Sequence, residues 1–161
     1  MIDQNLFKAI MASAPGPATV VTSLTGDGSP RGLTMSAVCS VSLDPPLILV
    51  CLDRESNTLD AIRASRSFTV NYLRRGHEHV ALEFASKSPA KFEGREWKLS
   101  DSGVGGPILS ESSAAYAVCC VAEFIDAGDH VIAVAEVHEG DVRENHAVLA
   151  YAQRQFFAVS A

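Results

Sequence analysis

Hydroxyl side chains gather at two places in this sequence where they could do chemistry. Ser56-Asn57-Thr58 stands directly before the run Leu59-Asp60-Ala61-Ile62, which has the apolar spacing of a helix. Side-chain oxygens at such a start pair with the free N–H groups of the first turn. The same donors, with the positive end of the helix dipole, also suit a phosphate. On these residues alone a plain helix cap is the commoner explanation. The second gathering is Thr34, Ser36, Ser40 and Ser42. If residues 33–43 form one strand, all four share a face, because strand side chains alternate. Such a row could line a groove for a polar, planar ligand, and a merely solvated face fits it equally well.

Other reactive residue types point to less. His130 follows Gly128-Asp129 at the start of an apolar run, a setting more typical of a turn than of a catalyst. Cys39, Cys51, Cys119 and Cys120 match no zinc or redox spacing. Each lies in an apolar, strand-like run, so buried, reduced thiols are expected. The five histidines lack ligand spacing, and no metal is expected. Gly103-Val104-Gly105-Gly106 is followed by Pro107 and lacks the strand-to-helix setting of a dinucleotide fingerprint.

The elements that must position these residues fit one domain spanning residues 1–161. Its 47% hydrophobic content supports an ordinary core. The net charge of -6, without any basic run, argues against nucleic acid. The apolar stretches at 45–52 and 114–122 are too short to span a bilayer, and the first residues lack a signal pattern. A cytoplasmic protein without membrane contact is expected.

Residues 3–12 read as a helix with Leu6, Phe7, Ile10 and Met11 on one face and Asp3 as cap, stopped by Pro15-Gly16-Pro17. Strand patterns follow at 19–24, 33–43 and 47–52, resembling an antiparallel meander. A helix is expected at 56–65, a strand at 68–73 and a short helix at 77–85. Residues 86–113 form a long, partly irregular excursion rich in Gly, Pro and Ser. Strands at 116–124 and 130–137, then 148–151 and 155–159, complete a mainly β pattern that suggests a closed barrel with a few peripheral helices. Several strands are apolar on both faces, so one face needs covering by helices or by a second subunit.

The run from Arg31 through Thr34-Met35-Ser36 and Ser40-Val41-Ser42 to Asp44-Pro45-Pro46 resembles the flavin reductase family of the FMN-binding split barrel. The likeness continues through Leu49-Val50-Cys51-Leu52, Ser56-Asn57-Thr58, residues 68–73, Phe84-Ala85-Ser86, Lys91-Phe92, Gly128-Asp129-His130 and residues 151–156. It implies a Greek-key split β-barrel and, in particular, the short reductase components of two-component flavin monooxygenases.

By that resemblance, Thr34, Met35, Ser36, Ser40, Val41 and Ser42 line the flavin ring and ribityl chain. Leu52, Asp53, Arg54, Ser56, Asn57 and Thr58 wrap the ring edge and phosphate, and Ala85, Ser86 and Lys91 lie near the phosphate. His130 faces the nicotinamide, with Tyr151 and Arg154 near the same groove. Many relatives carry glycine where this chain has Arg154. The implied activity is hydride transfer from NADH or NADPH to FMN or FAD, with reduced flavin passing to a partner monooxygenase, in a homodimer whose groove lies at the subunit interface. The same barrel also serves reductases with tightly held flavin and non-catalytic flavin- or haem-binding proteins.

Overall fold

A computed structural model describes residues 1–144 and 147–159. Helix α1 (Gln4–Ala12) starts where Asp3 accepts from the N–H groups of Asn5 and Leu6 at 2.8 and 3.0 Å. Its apolar face is not buried: Leu6, Phe7, Ile10 and Met11 are 48–54% exposed. β1 (Gly16–Pro17) lies within the expected helix stop and pairs with β9 (Val148–Ala152). β10 (Gln155–Val159) completes that small sheet.

The main sheet has seven antiparallel strands. They are β2 (Thr19–Leu24), β3 (Pro30–Met35), β4 (Val38–Leu43), β5 (Pro46–Asp53), β6 (Ser67–Leu73), β7 (Ser113–Ala127) and β8 (His130–Val142). Their spatial order is β3-β2-β6-β7-β8-β5-β4. The expected strand over 33–43 is therefore two strands at opposite sheet edges, and the expected meander reduces to the separate pairs β2–β3 and β4–β5. Only Ser36 and Ala37 connect the two edges. Three Cα steps reach at most roughly 11 Å, so the sheet must curl until its edges nearly meet. Among the described residues no ladder joins β3 to β4. The barrel is split, where the strand count alone suggested closure.

Inside the barrel pack Val21, Val50, Leu52, Val70, Cys119 and Ala133, joined by Leu59 and Ile62 of α2 (Asn57–Ser65). A second cluster lies outside the wall, where Val20 and Leu73 meet Val80, Ala81 and Phe84 of α3 (Glu78–Ala85) and Leu109 of the excursion.

The excursion is held by buried polar groups. Thr22 donates to the Pro107 carbonyl at 2.7 Å, Thr69 to that of Gly106 at 2.8 Å, and Asn71 Nδ2 to that of Pro107 at 3.1 Å. Gly106 lies so close to β2 that a Cβ there would fall 2.4 Å from the Thr22 carbonyl carbon. The glycine run thus serves backbone approach, consistent with its lacking a nucleotide fingerprint.

Among the described residues, no helix is long and apolar enough to cross a membrane, and no group of three or more His, Cys, Asp or Glu is arranged to hold a metal. All four thiols are free. Cys119 is buried, and desolvation pushes its pKa up to about 12. Against expectation Cys39 is exposed, because it lies on the open-edge strand β4. Cys51 and Cys120 are half-buried.

Candidate active site

Two groups of sequence-distant residues come together around the split. The first is built on β3, whose only ladder among the described residues is with β2, so its other edge keeps backbone N–H and C=O groups without a strand partner there. α3 packs on this strand, and Thr34 Oγ1 donates to the Ala81 carbonyl at 2.6 Å. Lys91 folds back beside it, its Nζ donating to Gly32 O at 3.2 Å and Phe84 O at 2.9 Å. An ammonium has three donors, so one stays available to an anion. Burial lowers the Lys91 pKa below the ordinary lysine value, so a negative partner would relieve its desolvation. Ala85 and Ser86 stand exposed at the C-terminal end of α3, with Ser86 Oγ donating to Glu83 O at 2.7 Å.

The second group joins the end of β5 to the β7–β8 hairpin. The ladder sets Asp53 opposite His130, and His130 opposite Ala127. His130 Nδ1 lies 2.8 Å from Asp129 Oδ1, and its side chain is 44% exposed. A carboxylate only accepts, so Nδ1 carries the proton and Nε2 is left for a ligand. The His130 interaction holds the Asp129 carboxyl below its ordinary range. Just beyond Asp53, Ser56 caps α2 by accepting from Thr58 N–H at 3.2 Å. Asn57 is exposed and Thr58 buried. Because α2 also packs against β3, the helix that starts at Ser56 connects the two groups.

Several expected placements change. The hydroxyl row is broken twice, first by the crossing at Ser36-Ala37 and then by a bulge between Ser40 and Ser42. Ser40 opposes the core residue Ile48, whereas Ser42 opposes Leu47. The two serines therefore lie on opposite faces, and Val41 is the exposed extra residue. Thr34 turns outward to α3. Met35 and Leu52 point into the barrel core, and the Met35 carbonyl accepts from Thr19 Oγ1 at 2.7 Å.

The Arg54 guanidinium is engaged with the hairpin: Nε donates to Gly128 O at 2.8 Å and one Nη lies 2.9 Å from Asp126. Tyr151 opposes Gly16, which abuts Ser36, so β9 is brought beside the crossing. Arg154 is exposed at φ 62° in the β9–β10 turn, a conformation that favours glycine. Asp126 and Asp129 were missed as site residues, although the Gly-Asp-His run marked their turn.

Residues 11–160 match the flavin reductase like domain. The chain belongs to the flavin reductase family. It is 43% identical over 143 residues to a flavin reductase (NADH) of Kitasatospora aureofaciens, covering 89% of this chain and 74% of that one. A flavin reductase (NADPH) of Lentzea aerocolonigenes is 40% identical over 149 residues, covering 92% and 86%. The crystal structure of nitrilotriacetate monooxygenase component B from Mycobacterium thermoresistibile superposes with a TM-score of 0.90 at 31% identity, covering 98% and 87%. These likenesses bear out the split-barrel fold and the reading of the chain as an NAD(P)H-dependent flavin oxidoreductase. The donor set fits a flavin: an open strand edge for a planar heterocycle, with a helix start and a half-buried lysine for its phosphate.

Proposed function

We propose that FMN or FAD binds along the open edge of β3 at the split, with its phosphate taken by the Ser56–Thr58 helix start and Lys91. NADH or NADPH then docks over His130, and the reduced flavin leaves to supply a flavin-dependent monooxygenase. The observation that carries this reading is the β5–β8 register, which sets His130 directly opposite Asp53 at the root of the 52–58 loop.

Flavin, when bound, supplies the hydride-accepting ring. The protein's task is then orientation, since such transfer needs the reacting atoms held at ~3–3.5 Å. Asp129 fixes the His130 ring, and His130 presents Nε2 to the nicotinamide side. Lys91 and Ser56 hold the phosphate. Direct hydride transfer of this kind would require no side chain to shuttle a proton.

A homodimer is part of the proposal. The apolar face of α1 stays about half exposed, with none of its residues buried in its own subunit. Nearby, an almost wholly apolar groove of about 470 Å³ runs between Pro15–Pro17, Tyr72, Ala115 and residues 148–150. A second copy would remove both surfaces from water. Four unpaired cysteines and the use of reduced nicotinamide support a cytoplasmic location.

The test is oxidation of NADH and of NADPH by purified protein with no flavin, FMN or FAD. Turnover that requires added flavin and saturates with it supports the proposal. Turnover on co-purified flavin alone would make the flavin a fixed group, and no oxidation under any condition would leave a ligand-binding barrel.

A further inference from the structure

We infer that Arg54 is a positioning residue that fastens the nicotinamide side of the site to its flavin side, an inference resting on the site assignment above. Three contacts from this residue reach the turn that presents His130. Its backbone N–H donates to Asp129 O at 3.1 Å, its Nε to Gly128 O at 2.8 Å, and its guanidinium pairs with Asp126 at 2.9 Å. They grip three successive parts of a hairpin tip whose connection is just Gly128-Asp129, with Gly128 at φ 65°.

Arg54 also lies one residue beyond Asp53, the strand partner of His130, and two before the Ser56 cap. The segment that offers phosphate donors is therefore tied by Arg54 to the segment that orients the imidazole. Fold stability gains little from this tie, because the ion pair is 42% and 73% exposed and such pairs are weak in solvent. Its effect is geometric. A planar guanidinium donates from Nε and Nη in fixed directions, so it can hold a carbonyl and a carboxylate together. A lysine ammonium at the end of a flexible stem does not reproduce that fork.

The experiment compares Arg54→Ala, Arg54→Lys and His130→Ala with the parent protein. It reads KM and kcat for NADH at saturating FMN, the FMN dissociation constant by fluorescence, the melting temperature, and amide hydrogen exchange over residues 126–130. Arg54→Ala should raise KM for NADH roughly tenfold, equivalent to about 1.4 kcal/mol. Its kcat should change less than about threefold. Exchange at 126–130 should quicken, while FMN affinity and melting temperature hold. Arg54→Lys should behave like Arg54→Ala.

An FMN affinity that falls as far as KM rises would make Arg54 a flavin ligand and overturn the inference. Full rescue by lysine would also overturn it. Unchanged exchange at 126–130 refutes the tie whatever the kinetics. Failure of the underlying site assignment looks different: His130→Ala would leave KM for NADH unaltered while Arg54→Ala still loosens the turn.

Discussion

Replacing Lys91 with methionine isolates the phosphate contribution to flavin binding. Methionine keeps an unbranched apolar stem beside Phe84 and Gly32 and removes only the charge and its donors. In the parent protein two of the three ammonium donors are engaged by Gly32 O and Phe84 O. One charge-assisted hydrogen bond to a phosphate therefore disappears, worth about 1.5–3 kcal/mol. That predicts a loss of FMN affinity of roughly 10- to 150-fold.

Riboflavin has the same ring and side chain but no phosphate, so its affinity should be unchanged in Lys91→Met. Fluorescence titrations of both flavins read the difference directly. The pH dependence adds a sign. Burial lowers the Lys91 pKa, so between its folded and unfolded values the folded chain binds fewer protons, and there stability rises with pH. A bound phosphate favours the ammonium, so FMN affinity in the parent should fall as pH rises through the folded value. That alkaline decline should vanish in Lys91→Met. Equal losses for riboflavin and FMN, or no loss for either, would refute the assignment of Lys91 to the phosphate.

The buried clamp and the thiols lead to further expectations. Asn71→Leu leaves the Leu109 N–H, now bonded to Asn71 Oδ1 at 2.8 Å, buried without an acceptor. It should cost about 1–3 kcal/mol in urea denaturation. Gly106→Ala forces a Cβ against the backbone of β2 and should destabilise by at least roughly 2 kcal/mol, read the same way. With its pKa at about 12 against an ordinary 9.0, Cys119 keeps its proton in the folded state after the unfolded thiol has lost it. Stability should therefore be insensitive to this group below pH 9 and fall above it by up to about 1.4 kcal/mol per pH unit. Cys119→Val should flatten that slope. Phe7→Asp should shift the protein toward monomer in sedimentation velocity with little change in melting temperature, since α1 buries no residue within its own subunit.

What was legible in the sequence was what local chemistry determines. Asp3 and Ser56 cap the helices they precede, and residues 130–137 and 116–124 pair as the hairpin their patterns and turn suggest. The candidate site was partly visible for the same reason, since a helix start and a Gly-Asp turn announce themselves in a few residues. The break at Ser36-Ala37 was not, because hydroxyl and apolar residues keep alternating straight through it. The bulge at Val41 likewise leaves no compositional mark, yet it reverses the face of Ser42. The resemblance put Arg54 beside the flavin, and nothing local marked its contacts with Asp126 and Gly128, which lie 72 and 74 residues away. Register decided that contact.

In the proposed site, the split is also what would make room for the ligand. A closed ladder between β3 and β4 would satisfy both edges and leave no backbone donor or acceptor for a planar ring. The two-residue crossing prevents such a ladder from extending while holding the edges together. Its packing is tight: a Cβ on Gly16 would lie 3.1 Å from Ser36 Cβ and 3.3 Å from Ser36 O. The crossing is thus braced from outside by the small sheet that carries Tyr151. On the other side of the split, α2 packs on β3 and starts at the loop tied to the His130 hairpin. The open edge is therefore bordered by parts whose positions are set by strand register and helix packing. In the proposed site, such a preset border would let a flavin enter and leave with little rearrangement of the barrel, which is what a reductase with a diffusing product requires.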